Sequence, residues 1–341
     1  MRAFVVSELK HHSEIPVVSD APAPVVGEGQ VLVDVYSAGL NFFDILQAQG
    51  KYQHKPPLPF VGGAEFAGRI AADSPIPDGC PFKPGDRVFG AGQGTFGDQA
   101  AISVSQLLPL PDSLTYDQGA GLFVTWPTAY EALVGRGELK AGDWVLVMAA
   151  AGGVGIAAVQ LAKALGARVI AAAGSAAKLE IAKTEGGADY AVDYTQPGWQ
   201  KEVISITENH GADIIYDPVG LITDSLKCIA WKGRALVIGF AAGKIEKVPM
   251  NLVLLKNVSV VGLHWGAYNI HEPARVPEVW KTLLSMLSSG KVKPVIFSTV
   301  YPLERIADGM TALERRETWG KAIVRVREES GAATNAQAAK L

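Results

Sequence analysis

Between residues 144 and 159 the chain runs sixteen residues without a charge, and Gly152, Gly153 and Gly155 interrupt that run near its middle. The run is shorter than the about 20 apolar residues that a helix needs to cross a bilayer. The glycines divide it into a buried strand at 144–148, a tight turn and an apolar helix opening near Val154. Strand, glycine turn and helix in that order constrain the fold strongly. Glycines let the backbone approach a pyrophosphate, and the helix N-terminus behind them supplies N–H donors and the positive end of a dipole. A tight turn without a ligand would carry the same glycines, so the surroundings must decide.

Downstream the rhythm continues. Apolar strands are expected at 168–173, 189–193, 212–217, 235–240 and 258–263, with helices at 176–185, 200–208 and 225–231 between them. Continuous Val/Ile/Ala strands separated by helices imply a parallel sheet covered on both faces. Upstream, residues 1–125 read as β-rich, with short strands such as 31–36 and 85–89 punctuated by Pro and Gly. Residues 266–327 add helices at 277–289 and 303–315 and a closing strand at 321–327. The expected class is therefore α/β. A β-rich domain of residues 1–125 and 266–327 surrounds a doubly wound parallel-sheet nucleotide domain, 126–265. Residues 328–341 have no pattern and are expected to form a flexible tail.

An NAD site places an Asp or Glu about 20 residues past the glycine turn, on the ribose 2′-hydroxyl. The corresponding strand end here is Ala173-Gly174-Ser175, without a carboxylate, and Lys178 follows within one helical turn. A small neutral strand end with a cation beside it leaves room for a 2′-phosphate. That points to NADPH, although Lys178 taken singly reads equally as a solvated helix charge.

Other chemistries lack their residues. The two cysteines, Cys80 and Cys228, are far apart and without a CxxC partner, which excludes a disulfide framework and a Cys-rich zinc site. None of the six histidines stands near either cysteine at ligand spacing, so no metal is expected. No GxSxG elbow supports a serine hydrolase. The net charge of −3 argues against nucleic acid or an anionic membrane as the main partner. A soluble, cytoplasmic chain is expected.

The order of parts, and several motifs, resemble the medium-chain dehydrogenase/reductase superfamily and, within it, the zinc-free, zeta-crystallin-like quinone oxidoreductases. The motifs are Ser37-Ala-Gly-Leu-Asn-Phe-Phe-Asp44, Pro59-Phe-Val-Gly-Gly-Ala-Glu-Phe-Ala-Gly68, Gly85-Asp-Arg-Val88, Thr128-Ala-Tyr130, Ala149-Ala-Ala-Gly-Gly-Val-Gly155 and Arg316-Glu-Thr-Trp-Gly-Lys321. The likeness spans residues 1–327 and implies a GroES-like catalytic domain joined to a Rossmann domain. Zinc-dependent members carry a ligand Cys where this chain has Asn41 and a His where it has Ala64, and the four-Cys structural lobe is absent.

By the same resemblance, Asn41 and Thr128 orient the nicotinamide and Tyr52 flanks the substrate. Gly152, Gly153 and Val154 cradle the pyrophosphate. Gly174, Ser175, Lys178, Tyr194 and Arg316 surround the 2′-phosphate, and Gly239 and Phe240 lie along the rest of the cofactor. The chain departs from the pattern at Leu46, where a second Tyr is common, and at Pro218, where Ser is frequent. Asn41 as a turn cap, Tyr52 as a packed loop aromatic, Tyr194 as a half-buried strand end and Arg316 as a partner of Glu314 or Glu317 are the bland readings of the same residues.

The implied activity is NADPH-dependent reduction of quinones or α,β-unsaturated carbonyls. A 2-enoyl thioester reductase, and a non-catalytic NADPH-binding or RNA-binding protein, are the alternatives. The resemblance also implies a homodimer joined through the apolar strand at 258–263, an aggregation hazard if left uncovered. The terminal Ala339-Lys340-Leu341 is similar to a peroxisomal address, which would matter only in a eukaryotic cell.

Overall fold

The computed structural model describes residues 1–243 and 245–329. The expected tail from 330 onward, with its terminal tripeptide, lies outside the described residues. Residues 328 and 329 carry no regular structure but make contacts, Glu329 pairing with Arg69 at 3.4 Å. The chain divides into two units, one of Met1–Phe123 with the chain from Ile296 onward, the other Val124–Val295.

In the first unit a sheet is built around the ten-residue strand Gln30–Gly39. It pairs antiparallel with Glu65–Ile70, with Gln99–Ser103 and with Lys321–Arg325. Alternate side chains such as Val31, Val33 and Val35 are fully buried and join Phe4, Phe66, Val88 and Phe96 in one core. Register matters at one end of this sheet. Gly39 pairs with Ile323 on one side, and Ala38 pairs with Phe66 on the other. Asn41, Glu65 and Lys321 are thereby brought to the same place. A Cβ on Gly39 would lie 2.4 Å from the Ala120 carbonyl oxygen and 2.8 Å from Glu65 Oε1, so only glycine fits beside that carboxylate.

The second unit is a six-stranded, wholly parallel sheet. Its order is Tyr190–Asp193, Arg168–Ala173, Trp144–Met148, Ala212–Asp217, Ile229–Val237, Ser259–Gly262. This is the doubly wound Rossmann arrangement, whose strand order reverses between Trp144–Met148 and Ala212–Asp217. Strands buried on both faces explain the unbroken apolar runs. The core includes Leu146, Met148, Ile170, Ile215 and Ala235.

Three expectations about this region are corrected. Residues 266–295, assigned above to the β-rich domain, belong by their contacts to the second unit. The helix Arg275–Ser288 is tied there by Arg275, which bonds the buried carboxylate of Glu131 at 3.0 Å. Lys293 is tied there as well, because its backbone N–H and C=O both bond the Gln160 side chain at 2.8 Å. The helix expected at 225–231 is an α-helical turn, Ile222–Ser225, followed by a 3-10 turn, Leu226–Cys228, and a strand begins at Ile229. Ile229 pairs with Ala212, and the register then shifts so that Arg234 faces Ile214. Lys232, at φ 64°, turns the chain within the extra residues, and that irregularity hides the strand pattern in the sequence. The strand therefore ends at Val237, before Gly239 and Phe240. The edge strand Ile296–Pro302 and the helix Met250–Lys256 were not legible, since neither shows its element's apolar period.

Candidate functional site

The turn 149–152 follows the Trp144–Met148 strand at the point where strand order reverses. Ala149 adopts φ 48°, and its carbonyl accepts the Gly152 N–H at 2.9 Å. Gly152 is the N-cap of the helix Gly153–Ala164. A Cβ on Gly155 would stand 2.2 Å from the Ala149 oxygen, so the helix can start this close to the turn only with glycine there. Gly152, Gly153 and Val154 are half-exposed, and the first-turn N–H groups of a helix have no partner within it. The geometry thus offers an anion a cradle of backbone donors at a twelve-residue helix.

Asp217 holds the other side of the reversal. Its carboxylate ends the neighbouring strand, is buried, and accepts the N–H groups of Val219 at 2.7 Å, Gly220 at 3.0 Å and Leu221. Burial raises its pKa, and the three backbone donors oppose that shift. Glu246 likewise receives the N–H groups of Ile222 and Thr223. Sequence reasoning missed both residues. Asp217-Pro-Val-Gly was a readable turn signal for the first, but Glu246 is 24 residues from Ile222. Gly239 and Phe240 lie just past the adjacent strand, where the Ala241 N–H bonds the Pro218 carbonyl at 3.0 Å. Phe240 is exposed.

At the end of Arg168–Ala173, Gly174 is exposed and faces Tyr194. A Cβ there would lie 3.3 Å from Thr195 Cγ2 and 3.4 Å from the Tyr194 ring. Ser175 caps the helix Ala176–Thr184, its hydroxyl accepting the Lys178 N–H at 3.4 Å. Lys178 and Tyr194 are half-buried. Asp193, which registers with Ala173, turns its carboxylate to Thr195 and Gln196. These bonds, Thr195's first, lower its pKa. Gly174, Ser175, Lys178 and Tyr194 therefore gather at one strand end. Thr128 stands in Thr125–Tyr130 and donates its hydroxyl proton to the Val124 carbonyl at 2.6 Å. Its oxygen is left as an acceptor.

The first unit holds Asn41, Tyr52 and Arg316. Asn41 is buried as the N-cap of the helix Phe42–Ala48. Its Nδ2 donates to Glu65 Oε1 at 2.8 Å, and its Oδ1 accepts from Lys321 Nζ at 2.7 Å. Glu65 and Lys321 are themselves in direct contact and buried. One amide is thus locked by a carboxylate and an ammonium, a pairing that sequence reasoning missed because its members lie 24 and 280 residues from Asn41.

Asp44, in the first turn of the same helix, accepts the Asn41 N–H at 2.7 Å. Its Oδ1 is buried without a hydrogen-bond partner among the described residues. Burial above all raises its pKa to about 7, against the pull of the Asn41 N–H and of Lys321. Tyr52 is half-buried and stacks on Phe43 with ring centres 5.3 Å apart. Burial first, and then the charge of Asp44, raises its pKa. Arg316 is exposed, at φ 59° in the turn after Ile306–Glu314. Its expected part in phosphate binding rests on the resemblance.

Two family descriptions match the chain, an alcohol dehydrogenase GroES-like domain over residues 27–112 and a zinc-binding dehydrogenase over 153–289. Quinone oxidoreductase-like protein 2 homolog of Nematostella vectensis is 38% identical over 309 residues, covering 89% of this chain and 83% of that protein. The mouse quinone oxidoreductase-like protein 2 is 37% identical, covering 95% and 91%. The chain belongs to the medium-chain dehydrogenase/reductase family, in its zinc-free quinone oxidoreductase branch. It is an oxidoreductase of that family. The quinone oxidoreductase of Thermus thermophilus, solved alone and with NADPH, superposes with a TM-score of 0.82 at 31% identity, covering 96% of this chain and all of that one. Despite the second family description, the positions of two zinc ligands hold an amide already engaged by charged partners and the methyl of Ala64.

Proposed function

We propose that this protein is an NADPH-dependent reductase of quinones or α,β-unsaturated carbonyls. The observation that carries the reading is the strand end 173–175. It has no carboxylate side chain, Tyr194 fills the space beside Gly174, and Lys178 stands within the first turn of the following helix. Backbone donors of Gly152, Gly153 and Val154 would hold the pyrophosphate, and Ser175, Lys178 and Tyr194 the 2′-phosphate. Gly239 and Phe240 would line the cofactor between these ends. Bound NADPH supplies a hydride.

The remaining work belongs to the chain's own groups. Thr128 offers an acceptor for a carboxamide N–H. Asn41, its amide fixed by Glu65 and Lys321, presents a rigid polar edge in place of a ligand thiolate. A pre-positioned group costs no reorganisation when charge develops. Tyr52 is the candidate proton donor, by the resemblance that makes it the aromatic flanking the substrate. A phenol shifted upward stays protonated at neutral pH, so it can donate to a nascent enolate or hydroquinone oxygen. In this reading, orientation of the hydride against the acceptor carbon supplies most of the acceleration.

Turnover of 1,2-naphthoquinone, a simple enone and crotonyl-CoA, each with NADPH and NADH, tests the proposal. Reduction of the quinone or the enone with NADPH, unaffected by strong chelator, is the expected result. Reduction of crotonyl-CoA alone, or of none of the three, overturns it.

A further inference from the structure

We propose that His11, His12 and Glu314 form a binding site for a divalent transition-metal ion of the Zn²⁺ class, which fastens the His12–Glu14 turn to the Ile306–Glu314 helix. No residue assigned above to hydride transfer belongs to it. Both elements lie in the first unit, though about 300 residues separate them in the chain, so no ligand spacing shows in the sequence. One donor atom from each side chain lies within 4.8 Å of the other two. His11 Nε2 and Glu314 Oε2 are 3.1 Å apart. Ligands at 2.0–2.1 Å from a tetrahedral ion stand about 3.4 Å from one another, so this pair already has the required spacing.

His12 supplies the second, independent observation. It is fully buried, and its Nδ1 has no hydrogen-bond partner among the described residues. Its Nε2 lies 3.1 Å from Thr311 Oγ1, and that hydroxyl donates its only proton to the Ala307 carbonyl at 2.8 Å. The hydroxyl must therefore accept from His12, so Nε2 carries the proton and Nδ1 the lone pair. A buried imidazole lone pair without a donor is an exception that calls for a partner, and a metal ion is one.

In the ion-free chain His11 Nδ1 accepts the Ser13 N–H at 3.3 Å, with Ser13 Oγ 2.7 Å away. Binding an ion through Nε2 requires the other tautomer, in which Nδ1 gives up the Ser13 N–H and donates its proton to Ser13 Oγ, the outer contact that orients a ligating histidine. Two imidazole nitrogens and one carboxylate oxygen suit Zn²⁺, Ni²⁺ or Cu²⁺ rather than Mg²⁺ or Ca²⁺, and leave a fourth position for water. His11 and Glu314 are part-exposed, so an ion can reach the site by side-chain movement.

The test uses the full chain without an affinity tag, stripped by chelator. Co²⁺ is titrated in while its visible absorption is followed, and Zn²⁺ binding is measured by calorimetry with thermal unfolding in parallel. One equivalent is expected, with a rise in Tm of a few degrees and unchanged NADPH-dependent turnover. His11→Asn and Glu314→Gln carry the test, because the buried His12 is the member whose loss endangers folding. Each should weaken binding about tenfold or more and abolish the Tm rise. Absence of saturable Co²⁺ uptake by the wild type at micromolar concentration overturns the proposal. So does equal uptake by both variants, which would place the ion on other histidines.

Discussion

Asp44→Asn removes a buried acid and keeps its shape. In the unfolded chain Asp44 loses its proton near the ordinary value of 3.8; in the folded protein burial holds the proton until about 7. Between those values the folded state binds more protons, so its stability falls as pH rises. The advantage is complete below pH 3.8 and lost above pH 7. At 1.36 kcal/mol per pH unit the interval amounts to about 4 kcal/mol. An asparagine retains the acceptor for the Asn41 N–H, and its NH₂ replaces an acid O–H at Oδ1 that has no partner either.

The variant should therefore match the wild type near pH 4 and exceed it by about 2–4 kcal/mol at pH 8, the lower figure allowing for relaxation around the ionised group. Urea unfolding followed by far-ultraviolet circular dichroism at pH 4, 6 and 8 measures this. The difference should open between pH 4 and 7 and stay constant above. Parallel curves for the two proteins across that range would refute the reasoning, and would mean that water or a rearranged side chain solvates Asp44.

Three further outcomes are expected. Lys178→Ala should raise the KM for NADPH about 5- to 30-fold, from the loss of one partly screened phosphate contact of about 1–2 kcal/mol, and leave NADH turnover unchanged; equal losses with both cofactors in steady-state assays would make Lys178 a surface charge. Burial pushes the Cys228 thiol up to about 12, so a thiol reagent at pH 8 should label only Cys80 in the native protein and both cysteines in urea, as mass spectrometry would show. The Ser259–Gly262 strand ends its sheet and carries the exposed Val260, and light scattering at micromolar concentration should find a dimer that Val260→Lys shifts toward monomer.

Much of the fold is legible in the sequence. Continuous apolar runs marked five of the six parallel strands, and most clearly Trp144–Met148, Arg168–Ala173 and Ala212–Asp217, because a strand buried on both faces must be largely apolar. The glycine turn was readable because Gly155 meets the Ala149 carbonyl within its own βαβ unit, a local steric demand that the sequence has to satisfy locally. The missing acid at Gly174 and the missing ligands at positions 41 and 64 were likewise statements about residue type.

Pairing across the chain was not legible. Asn41 reads as a turn cap, and it is one. Only the register of Gln30–Gly39 against Glu65–Ile70 and Lys321–Arg325 sets its amide between an anion and a cation. The same holds for Arg275 on Glu131, which moved residues 266–295 out of the domain expected for them, and for Glu314 beside His11 and His12. Local sequence determines which elements form and which backbone shapes they permit. Which charges meet is decided by sheet register and helix packing, since a buried ion pair imposes no pattern on the residues around either partner.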